Sequence, residues 1–309
     1  MHSHGHQHGA HHHGTAGVLK WSFFATLLFV VVEAIAGFHS GSLALVSDAG
    51  HNFTDALALV LASIGLYMQS KPADSIKTFG YHRAGVLTAF VNALTLVAIS
   101  AFIFYEAWQR FLRPQHIEEW TMFWVAAAAL VLNGGIMWGL YRDKDSDLNI
   151  RAAFVHMLGD AVSSVGIIVG AIAIHFTGLT YIDPILSVII GILIVWSAWD
   201  IIQESLNVLL EGLPRGMELN EVTKAICCID GVIEVHDLHI WSLGSSAHAL
   251  SCHVLIEDMP PSASNAILQR INDVLGQHEI NHTTIQFEHA KCDAPCTIVV
   301  AHHEHEHHH

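Results

Sequence analysis

Six stretches of the chain are almost continuously apolar, near residues 18–38, 43–68, 85–109, 120–141, 151–176 and 184–207. Each is long enough for the roughly 20 residues that a helix needs to cross a hydrocarbon core of about 30 Å. The first residues, Met-His-Ser-His-Gly-His-Gln-His, lack the basic-then-apolar order of a cleaved leader, so the first apolar run is expected to stay as a span. Bases are few in the odd-numbered connections, chiefly Arg110 and Arg113. The other side carries Lys71, Lys77, Arg83, Arg142, Lys144 and Arg151. The positive-inside bias then predicts both termini in the cytoplasm. A plasma or inner membrane is expected in preference to an internal compartment.

After Glu211-Gly212-Leu213-Pro214 the pattern becomes that of a soluble domain. Helical periodicity fits 218–229 and 261–278, and alternation fits strands at 232–242, 247–257 and 283–289. The order αββαβ predicts a small two-layer α/β domain of ferredoxin-like or metallochaperone-like layout. Such a small sheet with open edges is expected to pair with a second copy, giving a homodimer. The division expected is a disordered His-rich tail (1–16), a six-helix transmembrane domain (17–210), a cytoplasmic α/β dimerisation and metal-sensing domain (211–290) and a Cys/His-rich tail (291–309).

Composition agrees with the pattern: the 309 residues are 52% hydrophobic and 13% charged, with mean hydropathy +0.43. The formal charge of -15, from 28 acids against 13 bases, offers no basic surface for nucleic acid and favours cations as partners. Twenty-six histidines sharpen that expectation, because neutral imidazole is the commonest protein ligand for transition metals. The five cysteines, all in the last third, form no disulfide framework and point to a reducing compartment.

The candidate chemistry lies in the second and fifth spans, which both carry His-x-x-x-Asp-Ala: His51 with Asp55, and His156 with Asp160. Positions i and i+4 share a helix face, so each span presents an imidazole beside a carboxylate. Two such helices together close a four-ligand shell of the tetrahedral kind that zinc prefers. Two carboxylates and two neutral imidazoles also balance a divalent cation where an uncompensated charge is costly. Emptied of metal, the same groups take up protons, which gives a route for exchanging a cation against H+. Any one of the four taken singly is equally a cap or an interhelical hydrogen-bonding residue; the matched pairs carry the reading. Asp48 and Asn52 stand beside His51 as groups for the surroundings or mouth of the site, although Asp48 equally suits a structural role near the start of the span. Glu33, Asn92, Asn133 and His175 are expected to be ordinary polar contacts, and Gly166 and Gly170 to let two helices approach closely.

The chain resembles the cation diffusion facilitator family of metal/proton antiporters. The resemblance rests on Ser47-Asp48-Ala49 with His51 and Asp55, on Lys77-Thr78-Phe79-Gly80-Tyr81-His82-Arg83, and on His156 and Asp160. It continues through Asp183-Pro184, His236-Asp237-Leu238-His239-Ile240-Trp241 and Thr284-Ile285-Gln286, covering nearly all of the chain between the tails. It implies that the intramembrane His/Asp pairs bind the transported ion and that this ligand set goes with zinc and cadmium. It also implies metal sites in the cytoplasmic domain at His236, His253, His282 and Glu288. Strand placement allows His236, His253 and Glu288 to converge at one sheet end, yet each histidine singly is equally a solvent-facing strand residue. Gly85, where the family often has an acid, is a departure that bears on the cytoplasmic loop alone.

Cys292 and Cys296, with His2, His4, His6 and His8 at the other end, are weaker ligand candidates without fixed geometry. Two rival functions are a membrane metalloenzyme and a metal sensor or store. The first lacks a His-Glu-x-x-His motif, and a closed four-ligand shell leaves no open catalytic position. Ligand types leave zinc, cadmium and cobalt open as the ion.

Overall fold

The computed structural model describes residues 12–141, 148–244 and 247–290. Six long helices come first: α1 (His12–Ser40), α2 (Leu43–Gln69), α3 (Ala84–Leu112), α4 (Glu119–Leu140), α5 (Leu148–Thr177) and α6 (Ile182–Leu209). They are followed by α7 (Leu219–Cys227), β1 (Val232–Ser242), β2 (His248–Ile256), α8 (Pro261–Gln277) and β3 (Ile280–Glu288). Helix α1 begins inside the segment expected to lack structure, and most long helices overrun the apolar runs by a few residues. Hydropathy marks only the part of a helix that suits lipid, whereas backbone hydrogen bonding continues into polar turns.

Two compact units make up the chain, one holding residues through Leu61 and Val91–Ile202, the other Ala62–Phe90 and the residues from Gln203 on. Helices α3, α4, α6 and the Ala153–Thr177 part of α5 are each long and apolar enough to cross a membrane. The described part of α1 adds the shorter apolar helix Phe24–Ser40. Helix α2 is less apolar because His51, Asn52 and Asp55 lie within it. Large apolar side chains such as Phe38, Val131, Trp138 and Phe176 lie 73–85% exposed on the outside of these helices, a surface suited to lipid. The interior is lined by small residues, Ala44, Ala126 and Ala171 packing with Leu45, Met122, Ile167 and Ile174.

Small side chains matter most where helices touch. A side chain at Gly170 would run into Leu186 of α6, whereas the space beside Gly166 is open, so only one glycine of the expected pair makes a close approach. Gly41 turns the chain between α1 and α2 with φ +69, in the left-handed region where a Cβ is disfavoured.

Helix α2 starts with a cap supplied from far along the chain. The buried Asp183 carboxylate accepts hydrogen bonds from the Leu43 and Ala44 amides (2.7 and 3.2 Å) and the Ser42 hydroxyl (2.6 Å). Arg110 pairs with the same carboxylate at 3.3 Å and donates to the Gly41 carbonyl. These bonds satisfy amides that a helix N-terminus leaves free, and a negative charge there suits the helix dipole.

In the second unit the observed order is αββαβ, with β1 antiparallel to β2 and β2 parallel to β3. Central strand β2 buries Leu250, Cys252, Val254 and Ile256 against Ile226, Ile267, Ile271 and Leu275 of the two helices. Burial drives the Cys252 thiol pKa up to about 12, making it an inert packing group. Strand β3 begins three residues earlier than expected because the turn after α8 is tight, with Glu279 at φ 61 and Ile280 already in the core. The α2–α3 loop of this unit is held by Asp74, which accepts from the Ile76 and Lys77 amides and the Tyr81 hydroxyl. These bonds, that from Lys77 foremost, hold the Asp74 carboxyl below the usual carboxylate range.

Candidate metal-transport site

Leu43 fixes the start of α2, and His51 follows eight residues on, about 12 Å along the axis. One further turn brings Asp55 beneath it. On α5 the same spacing stacks His156 and Asp160. Across the two helices the four side chains close into a ring of alternating nitrogen and oxygen donors. His51 Nε2 lies 3.6 Å from Asp55 and 3.8 Å from Asp160, and His156 Nε2 lies 3.3 Å from Asp55 and 3.6 Å from Asp160. The imidazoles are 6.1 Å apart, inclined at 70°.

Those edges suit a particular ion. A tetrahedron with bonds of about 2.0–2.1 Å has edges of about 3.3–3.4 Å; the four neighbouring distances come near that, but no three of these residues offer ligand atoms all within 4.8 Å of one another, so the side chains must draw together across the ring to enclose zinc. Asp160 is 4% exposed and forms the inner wall, while His51, Asp55 and His156 are 23–41% exposed. Behind the ligands, the Thr54 hydroxyl bonds the His51 carbonyl (2.7 Å) and the Ser164 hydroxyl bonds the Asp160 carbonyl (2.9 Å). Polar side chains thus spend their donors on backbone at the very turns that carry ligands.

Asp48 and Asn52 belong to a different group. Asp48 accepts from Ser163 of α5 at 2.7 Å, and the Asn52 amide donates to Glu33 of α1 at 3.4 Å. Glu33 makes the interhelical polar contact expected of it and is wholly buried. A carboxyl in the middle of an apolar span is expensive, and that cost was the signal that marked it. The α2 cap by Asp183 was invisible beforehand, since nothing local links residues 140 positions apart.

In the αββαβ unit, His236 of β1 and His253 of β2 face one another, their rings 5.4 Å apart. Glu288 lies two residues beyond Gln286, the β3 partner of His253, and so on the same face. Its carboxylate is 3.2 Å from His236 Nε2 and 2.9 Å from His253 Nδ1, and ligand atoms of all three residues lie within 4.8 Å of one another. This donor set fits a borderline metal such as zinc. Asp237, not among the ligands expected, sits at φ 50 in a bulge of β1 with its carboxylate 3.8 Å from His253 Nε2. His282 does not join the cluster. It pairs with Ala249, about 20 Å along the strand from Glu288, and its ring meets Phe79 edge-on at 5.2 Å. Cys292, Cys296, His2, His4, His6 and His8 lie outside the described residues.

Comparison with known proteins bears on this architecture. Residues 19–210 match the model of the cation efflux transmembrane domain, and residues 214–290 match that of the cation efflux protein cytoplasmic domain. The chain is 41% identical to a zinc transporter, ZitB, of Yersinia pestis over 296 residues, covering 93% of this chain and 94% of that protein. It is 38% identical to a cadmium, cobalt and zinc/H(+)-K(+) antiporter of Bacillus subtilis (92% and 91% covered) and 39% identical to the metal cation efflux system protein CzcD of Cupriavidus metallidurans (94% and 91% covered). A transmembrane-domain model that takes in more than half of the residues, and relatives of this identity along almost the full length, show that the chain belongs to the cation diffusion facilitator family of multi-pass membrane transporters.

Proposed function

We propose that this protein exports divalent metal, zinc foremost, from the cytoplasm in exchange for protons, through a tetrahedral site of His51, Asp55, His156 and Asp160 between α2 and α5. The observation that carries the reading is the closed ring of alternating nitrogen and oxygen donors with edges of 3.3–3.8 Å. The names of the relatives, a zinc transporter in one case and a cadmium, cobalt and zinc antiporter in another, point the same way. Cadmium and cobalt accept the same ligand types and are expected as secondary cargo.

Exchange follows from the ligands themselves. A divalent ion meets two carboxylates and two neutral imidazoles, and the loaded site is near neutral. When the ion leaves outward, bare carboxylates beside histidines in a poorly solvated cleft recruit protons, and a second ion entering from the cytoplasm displaces them. Alternating exposure of one site to the two sides converts that competition into antiport.

Residues 17–210 would carry transport and 211–290 would pair two copies and sense metal, with both termini in the cytoplasm. His236, His253 and Glu288 are the residues to hold a sensed ion there; bound, it would supply a positive charge that links β1, β2 and β3. The primary test is uptake into proteoliposomes under an imposed pH gradient, comparing zinc, cadmium, cobalt and manganese. Asp55→Ala is expected to abolish zinc flux. Flux equal to the unaltered protein's would refute the four-ligand site.

A further inference from the structure

We propose that Glu33 and Asp48 form a proton-binding carboxyl pair, distinct from the four metal ligands, that ties α1 to α2 and α5. Both side chains are sealed from solvent, at 0% and 1% exposure. Their carboxyl groups lie within hydrogen-bonding reach of one another. The donors around them are already placed elsewhere: Ser163 gives its hydroxyl to Asp48 Oδ1, and Asn52 gives its amide to Glu33 Oε2. Glu33 Oε1 and Asp48 Oδ2 are left with no N–H or O–H donor.

An ionised carboxylate only accepts hydrogen bonds. Two carboxyl groups can therefore bond each other only when one of them carries a proton, and two adjacent negative charges cut off from water would not both persist.

The charged and titratable groups acting on the pair are Asp160 from α5 and His51 and Asp55 from α2. Helix α4, which packs on α1, contributes the uncharged Asn133 to the buried polar residues. Asp48 stands three residues before His51, and Ser163 three residues after Asp160, so the pair grips the same two helices that carry the ligands. With the proton bound, α1 is fastened to α2 and, through Ser163, to α5. With it gone, two carboxylates oppose each other across α1 and α2, and packing that separates them is favoured. Occupancy of this proton and the arrangement of the three helices are thus linked. The place of that linkage in a transport cycle rests on the antiport reading; the bound proton does not.

The test is infrared difference spectroscopy of the purified full-length protein at neutral pH, read at the C=O stretch of a protonated carboxyl. The unaltered protein is expected to show such a band, shifting in D2O. Glu33→Gln and Asp48→Asn should each lose it, and Asp55→Ala should keep it. Glu33→Gln, which donates permanently to Asp48, should also flatten the pH profile of zinc uptake, with Glu33→Asp restoring both band and profile. Absence of the band from the unaltered protein, or its survival in both pair variants, overturns the proposal. Zinc binding and flux undisturbed in Asp55→Ala would instead defeat the four-ligand reading and leave the band as evidence on its own.

Discussion

At the scale of single residues, the candidate site uses the least specialised geometry available, one helical turn between imidazole and carboxylate, twice over. Residues that touch no ligand set where the helix carrying His51 and Asp55 begins. Asp183 closes the first turn of α2 with three hydrogen bonds and an ion pair to Arg110, whose side chain is 11% exposed. Removing Asp183 leaves Arg110 to Glu106 alone, 3.4 Å away, and strips the start of α2 of its acceptor, at about 1–3 kcal/mol for each buried donor left unsatisfied. Asp183→Ala is accordingly expected to lower the thermal unfolding temperature of the detergent-purified protein markedly. Asp183→Asn, which retains acceptor capacity but no charge, should lie between. An unchanged melting temperature in Asp183→Ala would show that α2 needs no such cap.

At the scale of elements, the contact between α5 and α6 depends on the missing side chain of Gly170. Leu186 occupies the space a Cβ would fill, whereas Gly166, one turn earlier, faces open space. Overpacking a helix contact costs about 1–3 kcal/mol. Gly170→Val should therefore destabilise the protein by that order, and pairing it with Leu186→Ala should recover most of the loss. Gly166→Val is the internal control and should change stability little. Equal effects of the two valines would assign the cost to β-branching within the helix rather than to the contact with α6. The same scale explains why the cytoplasmic cluster was only partly readable. Strand alternation places His236, Glu288 and His282 on pleated faces, but which of them meet depends on register. With His253 opposite Gln286, Glu288 comes within 2.9 Å of His253 and His282 is carried to Phe79.

At the scale of the whole molecule, cargo handling and metal sensing are expected to be separable. Zinc at about 100 times its dissociation constant stabilises a folded domain by about 2.7 kcal/mol. In the full chain, added zinc should raise the unfolding temperature of the cytoplasmic domain, and Glu288→Ala should remove that rise. Zinc flux through the membrane domain should persist at saturating zinc. Complete loss of flux in Glu288→Ala would instead make the cluster an obligatory part of the transport route.

The sequence determined whatever is local. Runs of apolar residues set the membrane helices, the change of pattern after Pro214 set the αββαβ domain, and four-residue spacing put His51 above Asp55 and His156 above Asp160. These follow because helical and strand periods are fixed by backbone geometry alone. Only the tertiary structure decided which faces meet: that His156 approaches Asp55 as well as Asp160, that Asp183 caps a helix 140 residues away, that Glu33 lies against Asp48, and that His282 stands apart from the other three. Those partnerships arise from packing between distant elements, where no repeat in the chain records the register or rotation that burial of the apolar faces selects.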